Sequence, residues 1–360
     1  MLLEGTANRN AKQLADDISF LGATIEISHS PDYETISFSC LKKYLPRLLS
    51  ILEEMWEHSV FPEKEWKTMV ETATQQNAIN QSKTAFQAGK LLRSSLFGSA
   101  SDYGYSFDSE AIAGLSAQKL KAHFQSLKPV GPALVVVSGM ADPQSLSTLQ
   151  TWLEHFDRVG HFASRNAEAL VAPASGVVWQ TMPDSQQTTL RIGQFAIDSQ
   201  HKDSPLFNLT LEIFGGYFGS RLMANIREDK GWTYGIFAQR VGYVAQPYWV
   251  IGSDVKGEII HDALAEIKRE ADLLRNELVG EEELEKVKNY MLGQFLSSVT
   301  NCYGVADRYK SVWINGIDFK RVEANLHTIR NAGAEDVLRI ASQYLDLDRS
   351  LIALAGNPNT

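Results

Sequence analysis

The feature that most constrains this chain is that it repeats itself once. A helical stretch ends at Gly22, and an alternating hairpin pattern follows on both sides of Ser30-Pro31-Asp32. An amphipathic helix comes next, and Phe61-Pro62-Glu63-Lys64-Glu65-Trp66 opens another. About 210 to 220 residues later the order returns as helix, Gly231, hairpin, amphipathic helix and a helix start at Val279-Gly280-Glu281-Glu282-Glu283-Leu284. A unit that long, used twice, is a duplicated domain; solenoid repeats run to roughly 20–50 residues and need several copies to bury a core. The expected fold is therefore α+β, with two like-built domains, each a mainly antiparallel sheet with helices packed on it. The 360 residues suit two cores at roughly 100–200 residues each. Residues 1–157 form the first domain in this reading and 176–360 the second. Between them 158–175, "RVGHFASRNAEALVAPAS", shows no clean period and reads as a linker.

Within the first copy, Leu14, Ile18 and Leu21 recur at helical spacing. "LKKYLPRLLSILEEMWEHS" is an amphipathic helix, and the helix opened by "FPEKEW" runs without proline to about Leu96. "GPALVVVSGM" is a continuous apolar run of strand length, which predicts a strand buried on both faces. In the second copy, strands are expected around "GVVWQTM" and "QQTTLRIGQFAI". Ser204-Pro205 is a cap and first-turn pair for one helix through Leu206, Leu209, Ile213, Leu222 and Ile226, stopped by Gly231. "WTYGIFAQRVGY" and "PYWVIGSDV" give the next hairpin. The copies differ in one respect: the second has two strands before its long helix and the first has none. The first residues, "MLLEGTANRNAKQLADD", read as the middle of a helix.

Composition narrows the function classes. A content of 44% hydrophobic and 21% charged residues belongs to a packed globular protein and excludes a largely disordered one. Net charge of −9 argues against nucleic acid or anionic lipid as the main partner, since both demand clustered Lys and Arg. No apolar run reaches the ~18 residues of a membrane span. The N-terminus lacks the basic and apolar regions of a signal peptide. Cys40 and Cys302 fall in different halves, so they form no disulfide framework. No phosphate-cradling glycine loop, serine elbow or H-E-x-x-H appears. The closest histidines, His155 and His161, lie at the linker without a carboxylate beside them.

One stretch concentrates chemistry: "FGSRLMANIREDKGWTYG", residues 218–235. Read as structure, Arg227 is a last-turn cation that complements the helix dipole, and Trp232 and Tyr234 are strand residues of one face. Read as chemistry, a guanidinium leaving a helix and a phenol entering a strand can converge on a carbonyl oxygen that gains charge during hydrolysis. Both readings stand on residue types alone.

"GGYFGSRLMANIREDKGWTYG" resembles the C-terminal signature of the insulinase/pitrilysin zinc metallopeptidases, roughly G-G-x-x-x-S-R-L-x-x-x-[IL]-R-E-x-x-G-x-x-Y. "MLLEGTANRNAKQLADDISFLGA" is similar to the family segment after the zinc motif, "FPEKEW" to its helix start, and "DYGYSFDSEAIAGLSAQKLKAHF" to a further family stretch. The resemblance covers both halves and implies a clamshell half built of two like α+β domains. Family enzymes hold zinc with H-x-x-E-H and a distal glutamate. Registering "MLLEGT" on the family places the second histidine just before Met1, which makes this an N-terminally truncated version. The distal position falls at Gln75, Gln76 and Asn77, with Glu71 about one turn short; neutral amides are poor zinc ligands. The resemblance thus implies a chain without metal of its own, the non-catalytic subunit of a heterodimer. Zinc would sit in an H-x-x-E-H partner, and Arg227 and Tyr234 would contact the peptide substrate. Arg221 would be structural, and Gly215, Gly216 and Gly219 would permit close packing or a local break. The same resemblance admits a scaffold like the respiratory core proteins, self-association, or a zinc peptidase whose motif segment was removed. Its bacterial members lean toward extracytoplasmic sites.

Overall fold

The computed structural model describes residues 1–107, 112, 114–127, 134–154 and 175–357. The expected linker, 158–175, falls almost entirely outside them, as do His155 and His161. By contact the chain forms two compact units: Met1–Ile79 with Phe107–Ser164, and Asn80–Ser106 with Arg165–Thr360.

The first unit starts with a short turn, Leu2–Glu4, and not with the middle of a helix. Gly5 has φ of 135°, a value that stops helical winding, and Thr6 bridges to Ser59. Helix α1, Ala11–Phe20, begins at Asn10, whose side chain accepts from the Gln13 amide while Gln13 returns the bond. Gly22, at φ 58°, turns the chain into strands β1, Thr24–His29, and β2, Glu34–Ser39, paired from Thr24↔Ser39 to His29↔Glu34. Helix α2, Leu45–His58, lays Leu48, Leu49, Leu52 and Met55 against Leu14, Ile18 and Leu21. Arg9 pairs with Asp17 at 2.7 Å and also with Glu54, joining α1 to α2.

The helix opened by Glu63 is two helices, α3 at Glu63–Gln81 and α4 at Thr84–Phe97. Proline is not needed to part them, because their burial differs. On α3 only Asn77 is buried, whereas α4 buries Ala88, Leu92, Leu96 and Phe97 within the second unit. Lys83 turns extended at the break, and the Gln87 side-chain amide donates to the Gln81 carbonyl at 2.8 Å. Helices α5, Ala117–Leu127, and α6, Pro143–Leu153, complete the described part of the first unit. The expected buried strand at "GPALVVVSGM" does not form among its described residues. Leu134–Ser138 joins no ladder, and Val135, Val136 and Val137 are 43%, 38% and 46% exposed. Such a run is buried only when sheet neighbours flank it, and the described residues of this unit supply β1 and β2 alone.

The second unit holds a five-stranded sheet in the order β3-β7-β4-β6-β5. Its strands are β3 Gly176–Thr181, β4 Thr188–Phe195, β5 Ile236–Val241, β6 Tyr248–Val255 and β7 Leu351–Gly356. Only β3 and β7 run parallel. Alternation splits the sheet cleanly. Leu190, Ile192, Trp249, Ile251 and Leu354 join the core on one face; Tyr248, Val250, Leu351 and Ala353 meet α4 on the other. The first core is closed by α7, Ser204–Leu211, α8, Ile260–Asn276, α9, Glu281–Ser298, and α12, Ala334–Tyr344, with α10, Cys302–Ile314, and α11, Phe319–Asn331, following α9 in the chain. Phe207 and Phe214 lie at its centre, almost wholly buried. Replacing Phe214 by Ala removes a ring the surrounding helices cannot refill, so urea unfolding should show a loss of about 3–5 kcal/mol.

Candidate functional site

The single helix expected from Leu206 to Ile226 is broken in the middle, and the break builds the site. Asp203 occupies the N-cap position, one residue before the expected Ser204, and α7 runs to Leu211. The chain then winds into a π-helical segment, Glu212–Gly216, and ends extended at Tyr217. Close packing compels this. A Cβ on Gly215 would stand 2.7 Å from both the Cβ and the amide nitrogen of Ala238 on β5, so only glycine lets helix and strand backbones approach so far. On Gly216 a Cβ would stand 2.6 Å from a Glu212 carboxylate oxygen, and on Gly219 2.9 Å from the Tyr217 ring.

The helix resumes and becomes π-helical again over Met223–Asp229. Segments of this kind are rare and concentrate at functional sites. The Lys230 amide reaches the Asn225 carbonyl at 3.1 Å, Gly231 turns left-handed at φ 63°, and the Trp232 amide bonds the Ile226 carbonyl at 3.0 Å. This is a glycine C-cap widened by one residue to fit the looser winding. Beyond it Thr233 is pinned to β6: its Oγ1 lies 2.8 Å from the Asp254 carbonyl and accepts from the Ser253 hydroxyl at 3.0 Å and the Gly235 amide at 3.1 Å.

Most polar groups of the junction are committed. Arg221 forms a two-pronged pair with Glu283 at the start of α9, both contacts 2.8 Å, and the hydrogen bonds it donates to that carboxylate raise the already high pKa of its guanidinium. This is the structural role expected of it. Buried Asn225 donates to Glu266 at 3.0 Å and Glu270 at 2.6 Å on α8. That amide and the Arg269 guanidinium hold the Glu266 carboxyl below its ordinary range. Lys230 stands 3.4 Å from Glu266 and lies over the Trp232 ring at 4.9 Å.

Arg227 and Tyr234 differ from these neighbours. Arg227 is half-exposed, and among the described residues its guanidinium makes no hydrogen bond or ion pair; it rests 4.6 Å above the ring of Phe218. Tyr234 is 92% exposed, and its hydroxyl likewise has no partner among the described residues. No hydrogen bond joins the two. Phe218, 63% exposed, was not legible as a support for Arg227, because the loop between the π segments decides where it lies. Asn225 could have been found, being an amide in an otherwise apolar helix with Glu266 and Glu270 one turn apart on a later one.

In the first unit, Glu71, Gln75 and Gln76 lie on the exposed surface of α3, while Asn77 is buried. Two amides and one carboxylate on a solvent-facing helix do not fit a zinc centre, which wants three His, Glu or Cys donors converging on one point. No three such side chains gather among the described residues.

The division of labour at the junction is measurable. Arg221→Ala leaves Glu283 half-buried and unpaired, and should lower unfolding free energy by about 1–3 kcal/mol. Arg227→Ala and Tyr234→Phe should change it by less than about 0.5 kcal/mol. Chemical denaturation of the three variants checks both.

Comparison with known proteins agrees with this architecture. Residues 1–98 match the family described as insulinase (peptidase family M16), and residues 114–291 match the peptidase M16 inactive domain. The chain is 20% identical over 363 residues to an uncharacterized zinc protease, YmxG, of Bacillus subtilis, covering 100% of this chain and 87% of that protein. It is 22% identical over 303 residues to a non-peptidase homolog of Helicobacter pylori, covering 81% of this chain and 68% of the other. The crystal structure of a peptidase M16 inactive domain from Pseudomonas fluorescens superposes with a TM-score of 0.87 at 21% identity, over 99% of this chain and 86% of that one. This chain belongs to the peptidase M16, or insulinase, family, and its residues 114–291 match that family's inactive domain.

Proposed function

We propose that this chain is the non-catalytic, peptide-binding subunit of a heterodimeric zinc metallopeptidase, and that Arg227 and Tyr234 stabilise the scissile carbonyl of the substrate. The observation that carries this reading is the contrast at the junction. Arg221, Asn225, Lys230 and Thr233 are all spent on holding it, while Arg227 and Tyr234 are held out with donors unspent. Two preorganised donors cost little reorganisation when charge develops on an oxygen, and that is how they lower a hydrolytic barrier. Arg227 supplies a fixed charge and Tyr234 a neutral hydrogen bond; Phe218 holds the guanidinium plane without occupying its N–H groups.

The attacking water has to be activated elsewhere, because the donor set at Gln75, Gln76 and Asn77 does not suit zinc. The partner is therefore a homologous chain with H-x-x-E-H, whose metal generates the nucleophile. The peptide itself lies extended and adds to a sheet edge.

Purification of the native complex should bring down an H-x-x-E-H chain with one zinc per pair. In that complex Arg227→Ala and Tyr234→Phe should each lower kcat/KM by about 10²-fold, the scale of losing one oxyanion donor. Unchanged turnover in both variants rejects the role of the pair. A complex without peptidase activity, assembled all the same, points instead to a scaffold.

A further inference from the structure

One end of the first unit gathers exposed apolar side chains between cations. Antiparallel pairing of Thr24 with Ser39 brings the start of β1, and with it the end of α1, beside the end of β2. From there the chain passes through Leu41, Lys42 and Lys43 into α2. Arg47, in the first turn of α2, lies over the ring of Phe20, the last residue of α1, at 5.7 Å. Lys42 pairs with Asp142, the N-cap of α6, which ties the approach to that helix to the same end. Met140 lies two residues before the cap, in a turn closed by the Ala141 amide on the Gly139 carbonyl at 2.9 Å.

The apolar side chains here project into solvent: Met140 is 92% exposed, Phe20 71% and Leu41 57%, and Leu146 in the first turn of α6 is exposed with them. None belongs to the core of the unit, which Leu14, Ile18, Leu21, Leu48 and Leu52 fill. Large apolar side chains left together in water mark a surface that something apolar covers. The charges beside them say what. Among the described residues Lys43 and Arg47 have no acidic partner, and Lys43 lies over the Tyr44 ring at 4.6 Å. Lys12 and Asp16, on the α1 face that carries Phe20, offset each other. Lys42, Lys43 and Arg47 thus stand against Asp142 alone, in a chain whose net charge is −9.

We propose that this end of the first unit docks on an anionic lipid surface, with Phe20, Leu41, Met140 and Leu146 entering the interface and Lys43 and Arg47 meeting the headgroup phosphates. Lysine and arginine suit that place because their stems lie along apolar surface while the charge reaches outward. The core of a protein–protein interface is depleted in lysine. No described helix is long and apolar enough to cross a membrane, so the contact lies in the interface plane, where apolar insertion and attraction to anionic lipid add. The same lipids repel the negatively charged remainder of the chain, so the cationic end leads.

The test is co-flotation of the purified full chain with vesicles at low salt. Vesicles of mixed phosphatidylcholine and phosphatidylglycerol should bind about 10-fold more tightly, or better, than vesicles of phosphatidylcholine alone, the scale of two cations at a charged surface. Lys43→Glu combined with Arg47→Glu should remove that preference. Phe20→Ser combined with Met140→Ser should weaken binding to both vesicle types by about 10-fold, with an unchanged circular dichroism spectrum because both side chains are exposed. Tyr303→Ser, at an exposed aromatic of the second unit, should leave binding unchanged. Equal binding to the two vesicle types, a preference that survives the charge reversal, or a loss with Tyr303→Ser as large as with the apolar pair overturns the docking surface. Binding to neither vesicle overturns it too and leaves this end to a protein partner.

Discussion

The contact on which the second unit depends is the approach of Gly215 to Ala238, closer than any side chain allows. It presses the end of a helix onto strand β5. The helix answers by widening into a π turn and breaking at Tyr217. Everything distinctive about the junction follows from that break. Tyr217 and Phe218 are thrown out on a loop, where one stacks on Tyr290 and the other supports Arg227. A straight α-helix from Ser204 to Ile226 would have carried both aromatics around its barrel and given Arg227 no such seat.

The same compression explains where the junction's polar groups are spent. A looser helix has fewer well-aligned backbone bonds, so side chains take over the anchoring. Asn225 ties it to α8, Arg221 ties it to α9, and Thr233 ties the following turn to β6. These bonds fix the backbone on both sides of Arg227 and Tyr234 while leaving their own donors open. The proposed role of the pair draws on that preorganisation, since donors that must first be pulled from other partners return little.

The two copies of the duplicated unit have diverged unequally. In the second, β7 is bonded on both sides and its apolar residues are buried. In the first, the apolar run Val135, Val136 and Val137 remains in contact with solvent among the described residues. Helix α4 shows the complementary effect: its leucines belong to a sheet that the chain makes only about a hundred residues later. Duplication preserved the local patterns, and burial redistributed them.

The sequence by itself determined the repeat, the hairpins and the glycine stops at Gly22 and Gly231. Each of these is local, written in spacing or in residue chemistry over a few turns of chain. It also announced that Gly215, Gly216 and Gly219 mark close packing or a break, without saying which. Only the tertiary structure decided that. Whether a glycine is a contact or a hinge depends on what lies opposite, here Ala238 for Gly215, a carboxylate for Gly216 and an aromatic ring for Gly219. The division of the long helix into α3 and α4, the solvent-facing valines and the free donors of Arg227 and Tyr234 belong to the same class. All of them turn on which apolar surface finds a partner and which polar group is left without one, and that is settled across distances in the chain that no local pattern spans.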